Sequence, residues 1–153
     1  MTTIEEKLQE RGWTLPEAAA PIGSYKAWSK TRNVIYISGQ LPFLDGEIIR
    51  GRLGDDMDVA AGAKAAEACA VGIVAQIKSA LVGDYGRIRD IVKLEGFVNA
   101  VPEFTDHPEV INGASDLMAD LFCGRGTHCR TAVGVSSLPR GAAVEIAAIV
   151  SVD

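Results

Sequence analysis

Apolar positions along the chain recur in two periods, and the switches between them mark out the elements. Ile4 and Leu8 stand one helical turn apart, Thr3 and Glu6 have capping-box spacing, and Gly12 is a stop, so residues 4–11 read as a short amphipathic helix. Residues 22–29 read as a first strand containing Tyr25; turn-forming residues 30–33 follow, and Val34-Ile35-Tyr36-Ile37-Ser38 is a dense second strand. Asp45-Gly46 signals a hairpin before a third short strand near 47–50. From Met57 to about Leu81 there is no proline, Asp58 can cap, and Cys69, Ile73, Ile77 and Leu81 recur at i+4 on one helical face. Gly83-Asp84-Tyr85-Gly86 closes that helix, residues 88–100 read as a strand and 99–108 as a loop. A second long helix spans about 109–122, with Val110, Leu117, Leu121 and Phe122 toward the core. Two apolar strands, 128–135 and 142–150, joined at Pro139-Arg140-Gly141, complete the pattern. The order predicts one α+β domain over 1–153, a mixed sheet with both long helices on one face, preceded by an extension of about 19 residues.

Two charges interrupt the final apolar strands. Arg130 stands at the mouth of the first, and Glu145 lies inside the second, within Val-Glu-Ile-Ala-Ala-Ile-Val. A carboxylate in such a run is costly unless something binds it or it does chemistry. The planar fork of Arg130 suits a small carboxylate held by two parallel charge-assisted hydrogen bonds; a surface salt bridge is the plain alternative. In a cleft, Glu145 would orient or deprotonate a water, its pKa raised by burial and lowered by Arg130; on an outward face it would be unremarkable. Tyr25 and Ser38 stand by glycines that let backbone approach a ligand (Gly23, two residues before Tyr25, and Gly39), and either hydroxyl could donate to it. A half-buried strand tyrosine with a wet hydroxyl would look the same.

Composition narrows the field. With 15 basic and 20 acidic residues the net charge is −5, without the basic footprint of a nucleic-acid binder. The N-terminus is acidic and lacks the apolar core of a signal peptide, and no stretch has roughly 18 uninterrupted apolar residues. Cys69, Cys123 and Cys129, an odd number without framework spacing, favour a reducing, cytoplasmic setting. Cys123 and Cys129 with His128 and His107 match no common zinc spacing, and adjacent His128 and Cys129 would face opposite sides of a strand. A Cys-His-carboxylate nucleophilic set rests on residue types alone, and no glycine-rich phosphate loop is present. Neither a metal nor a cofactor is expected.

Three blocks carry a resemblance: Gly23-Ser24-Tyr25; Tyr36-Ile37-Ser38-Gly39-Gln40-Leu41-Pro42; and Arg130-Thr131-Ala132-Val133-Gly134-Val135 running through Leu138-Pro139 to Val144-Glu145-Ile146-Ala147-Ala148-Ile149. In order and over about residues 20–150 they resemble the YjgF/RidA family of enamine/imine deaminases, also called liver perchloric-acid-soluble-protein-type endoribonucleases. The resemblance implies a chorismate-mutase-like fold, a homotrimer with ligand sites between subunits, and hydrolysis of 2-enamine or 2-imino acids to 2-keto acids and ammonia without a cofactor. It implies that Arg130 holds the substrate carboxylate, that Glu145 positions the water, and that Tyr25, Ser38 and Gly39 line the cleft. Many members carry cysteine two residues after the arginine, where this chain has Ala132, which leaves the substrate side chain open. Two other readings stand beside this one: a non-catalytic binder of small carboxylates, or chaperone-like protein, and an endoribonuclease, which the acidic balance disfavours.

Overall fold

The computed structural model describes residues 2–153; Met1, part of the acidic N-terminal stretch read above, lies outside the described residues. In chain order the elements are α1 (Ile4–Glu10), β1 (Trp28–Thr31), β2 (Val34–Gln40), β3 (Phe43–Leu44), β4 (Glu47–Ile48), α2 (Val59–Leu81), β5 (Ile88–Asn99), α3 (His107–Phe122), β6 (Cys129–Val135) and β7 (Val144–Val152). The capping box is formed: Thr3 Oγ1 accepts from the Glu6 N–H at 3.1 Å, and Glu6 Oε2 from the Thr3 N–H at 2.8 Å. The segment after α1 is packed rather than trailing. Leu8 is fully buried, and the Trp13 indole N–H donates to Glu67 on α2 at 2.7 Å.

Five strands form one sheet in the order β1-β2-β7-β5-β6, with β5 and β6 parallel and every other neighbour antiparallel. β7 is central, and its period-2 pattern decides what each face sees. Val144, Ile146, Ala148, Val150 and Val152 are buried on the helix-covered side, whereas Glu145, Ala147, Ile149 and Ser151 alternate to the other face. β3 and β4 make a separate hairpin around Asp45-Gly46, both at positive φ (53° and 81°), as a tight mirror-image turn demands. This is the chorismate-mutase-like α+β arrangement.

Both long helices lie on one face. Asp58 caps α2 by accepting from the Ala61 N–H at 2.8 Å, and Cys69, Ile73, Ile77 and Leu81 are all buried. The small residues of α2 let α3 come close: a Cβ on Gly113 would overlap the Ala63 backbone. By length and composition α2 would also cross a membrane, but 67% of its most apolar window is buried inside the fold.

Three expectations shift. Residues 22–25 are bends, not strand, so Tyr25 lies ahead of β1, which starts at Trp28. Pro21 and Gly23 (φ 146°) break the regular backbone there. The strand expected near 47–50 is only Glu47–Ile48, paired with a Phe43–Leu44 strand that short-range pattern did not mark. α3 begins at His107, two residues early, because Pro108 sits in its first turn, where its missing N–H costs nothing.

The stop of α2 supplies a stability test. Val82 is left-handed (φ 51°, ψ 42°) and 93% exposed, so a β-branched residue holds a strained conformation with no packing to offset it. Val82→Gly is expected to stabilise the protein by about 0.5–1 kcal/mol, raising Tm by roughly 1–4 °C in differential scanning calorimetry.

Candidate functional site

Two of the sequence candidates meet across neighbouring strands. Gly39 on β2 and Glu145 on β7 are so close that a Cβ on Gly39 would overlap the Glu145 carboxylate. Only glycine leaves room for that carboxylate. It lines a cavity of about 520 Å³ whose other walls include Tyr25, Ser38, Ile22, Leu41, Phe43 and Pro139. Four of the five candidates, Tyr25, Ser38, Gly39 and Glu145, therefore share one cavity in a single chain.

The cavity roof is the stretch before β1, and polar groups of β2 and α2 hold it. The Ser38 hydroxyl donates to the Lys26 carbonyl at 2.7 Å, and the Ser38 N–H to the Ala27 carbonyl at 3.0 Å. Ser38 is thus committed to the roof, not free to donate to a ligand as the sequence suggested. Tyr25 Oη accepts from the Ile22 N–H at 3.0 Å, leaving its own O–H to donate. Gln76 on α2, 1% exposed, donates to the Ala19 carbonyl at 2.9 Å, and the Gln40 amide donates to the Ser38 carbonyl at 2.9 Å. Gln40 and Gln76 were not among the sequence candidates. Their signal was available: Gln76 adjoins Ile77 on the buried side of an apolar helix, where an amide is retained only with partners.

Glu145 is half-buried, and loss of water pushes its carboxyl pKa above the usual range. Among the described residues it has no hydrogen-bond or ion-pair partner.

Arg130 lies elsewhere. It pairs in register with Leu94 of β5, which is fully buried beneath the helices, and turns onto α3: one Nη donates to Ser115 Oγ at 3.0 Å, the other to the Pro108 carbonyl at 3.3 Å. No acidic side chain pairs with it among the described residues. Ser115 in turn meets His128 Nε2 at 2.9 Å, and His128 Nδ1 meets the Gly126 carbonyl at 2.6 Å. Glu145 pairs with Phe97 on the uncovered face, and β5 lies between β6 and β7. Within one chain, then, Arg130 and Glu145 occupy opposite faces of the sheet. His128 and Cys129 diverge as expected, Cys129 donating to the Val92 carbonyl at 3.2 Å, and no group of three or more His, Cys, Asp or Glu among the described residues is placed to hold a metal.

With this geometry the chain can be compared with known proteins. The family described as YjgF/chorismate mutase-like, a description that also names an endoribonuclease, matches residues 5–147. The chain belongs to the YjgF/RidA family. A crystal structure of the protein Atu1372 from Agrobacterium tumefaciens superposes with a TM-score of 0.93 at 50% identity, covering 98% of this chain and 92% of that one. Protein TCP17 of Trypanosoma cruzi is 44% identical, over 98% of this chain and 94% of its own. A protein of Dermatophagoides farinae named 2-iminobutanoate/2-iminopropanoate deaminase is 27% identical, over 90% and 93%.

Burial of the Glu145 carboxyl works against folding where it is ionised. A carboxyl whose folded pKa exceeds its unfolded value stabilises the fold while protonated, and that contribution is lost as pH rises from the unfolded to the folded pKa. Glu145→Gln is accordingly expected to raise Tm at pH 8 relative to wild type, with the gain vanishing at pH 4. Paired thermal melts at the two pH values check this.

Proposed function

We propose that the protein hydrolyses small 2-enamine or 2-imino acids to 2-keto acids and ammonia, in sites shared between copies of the chain assembled as a homotrimer. The observation that carries this reading is Glu145: a half-desolvated carboxylate without a partner among the described residues, seated on a glycine at the wall of a cavity. The deaminase-named relative and family membership support it.

The chemistry asks little of the protein. An imine carbon is already electrophilic, so catalysis reduces to holding the substrate and delivering water. Glu145 accepts a proton from the water as its oxygen bonds to the imine carbon. The C=N π pair moves to nitrogen, which takes that proton to give a carbinolamine. The carbinolamine hydroxyl proton then passes through Glu145 to the amine, C=O forms as C–N breaks, and ammonia leaves the keto acid. Tyr25 donates to the substrate from the cavity roof, and the Gly39 backbone gives close approach. Arg130 supplies the grip on the carboxylate; since it faces away from its own chain's cavity, it serves the cavity of a neighbouring copy.

The first test is ammonia release from enzymatically generated 2-iminopropionate. Arg130→Ala is expected to lower kcat/KM roughly a hundredfold, the scale of losing a two-pronged charge-assisted grip. Full rate in that variant removes Arg130 from the mechanism. Pyruvate binding in calorimetry without turnover would instead establish a non-catalytic carboxylate binder.

The shared site has its own signature. Arg130→Ala and Glu145→Gln subunits, each strongly impaired alone, are expected to regain about a quarter of wild-type activity when unfolded and reassembled together one to one, because random reassembly pairs an intact arginine with an intact glutamate at about a quarter of all sites. No recovery would place both residues' roles within one chain and overturn the shared site.

A further inference from the structure

We propose that Ser115 and His128 are positioning residues for Arg130, forming a one-way hydrogen-bond chain that fixes the guanidinium for carboxylate capture. This rests on the reading of Arg130 given above.

The direction of the chain follows from what each atom is able to do. The Gly126 carbonyl only accepts, so His128 Nδ1, 2.6 Å away, carries the ring proton. In the neutral imidazole, Nε2 is then bare, and Ser115, 2.9 Å away, donates its hydroxyl hydrogen to it. That leaves only lone pairs on Ser115 Oγ for the Arg130 N–H at 3.0 Å. Without His128 the Ser115 hydroxyl is free to rotate, and the orientation that points its hydrogen at the guanidinium loses the bond. With His128 it is a dedicated acceptor.

The donor count agrees. A guanidinium has five N–H groups; Ser115 takes one from one Nη and the Pro108 carbonyl one from the other. Three remain, enough for a two-pronged grip on an incoming carboxylate. An arginine free to rotate would lose side-chain entropy each time it bound, whereas this one is ordered in advance. The three residues come from different elements, Ser115 from α3, His128 from the turn before β6 and Arg130 from β6 itself, so the chain also ties the strand mouth to the helix.

The experiment compares wild type with Ser115→Ala, His128→Ala, the double variant and Ser115→Thr, measuring kcat and KM for 2-iminopropionate, pyruvate affinity by calorimetry, and Tm. Ser115→Ala and His128→Ala are each expected to raise KM and the pyruvate Kd about tenfold, the scale of one hydrogen bond to a charged group, with kcat within about threefold. The double variant should be no worse than Ser115→Ala, since His128 acts through Ser115, and Ser115→Thr, which keeps the hydroxyl, should restore affinity. A fall in Tm with KM and Kd unchanged would make the chain merely structural and overturn the proposal, as would additive effects in the double variant. The outcomes also separate the two claims. If Arg130→Ala abolishes turnover while Ser115→Ala and His128→Ala match wild type, only the positioning role fails. If wild type shows no turnover but pyruvate Kd follows the expected order, the positioning role stands and deamination falls.

Discussion

Glu145 sits on the central strand with Gly39 beneath its carboxylate, half stripped of water and, among the described residues, without a cation in reach. Desolvating a carboxylate works against folding, and a strand alternating Val, Ile and Ala around it gives no compensating contact. The carboxylate is tolerated because the neighbouring strand yields the space of one side chain and the cavity admits water to part of it. Both features depend on the β2–β7 pairing. The register shifts between Ile37 and Gln40, the stretch that holds Ser38 and Gly39, so the irregularity falls where the ladder borders the site.

The same central strand keeps Glu145 and Arg130 apart within one chain. Period-2 alternation sends Glu145 to the uncovered face, while Arg130, two strands away, turns under α3. No rotamer change carries either group through the sheet. The uncovered face also holds large apolar groups at the surface, Tyr36 at 49% and Val133 at 40% exposure, which is consistent with a face that finds its partner in another copy. Stability and catalysis would then draw on the same association.

Much of this was legible in the sequence because it is carried by local rules. The capping box at Thr3, the Asp58 cap, the i+4 stripe of α2 and the alternation of β7 each follow from residues within a turn or two of one another. Gly39 and Glu145 were both marked, but not that they touch, since 106 positions separate them and only strand pairing brings them together. The stretch around Tyr25 reads as strand from Ile22, Tyr25 and Trp28, but Pro21 and Gly23 break it locally, and bonds from Ser38 and Gln76 hold its flanks at Lys26 and Ala19. Ser115 and His128 stayed hidden too. A serine in a helix and a histidine before a strand carry no joint signal until the fold places them 2.9 Å apart.

The two polar clusters share a logic. Around the cavity, Ser38 and Gln76 spend hydrogen bonds on the roof and Gln40 donates to the Ser38 carbonyl; on the far face, His128 bonds Ser115, which in turn accepts from Arg130. In each case these polar groups are met by the protein's own atoms, so a ligand has few unfilled valences to meet: the Tyr25 hydroxyl, the Glu145 carboxylate and the spare N–H groups of a guanidinium. Such economy matters for a small acid with few atoms to grip. Every polar group left unfilled in the free protein would be hydrated, and a small ligand would have to displace that water. Satisfying those groups internally leaves, for the substrate proposed above, its carboxylate and its imine as the features to be met.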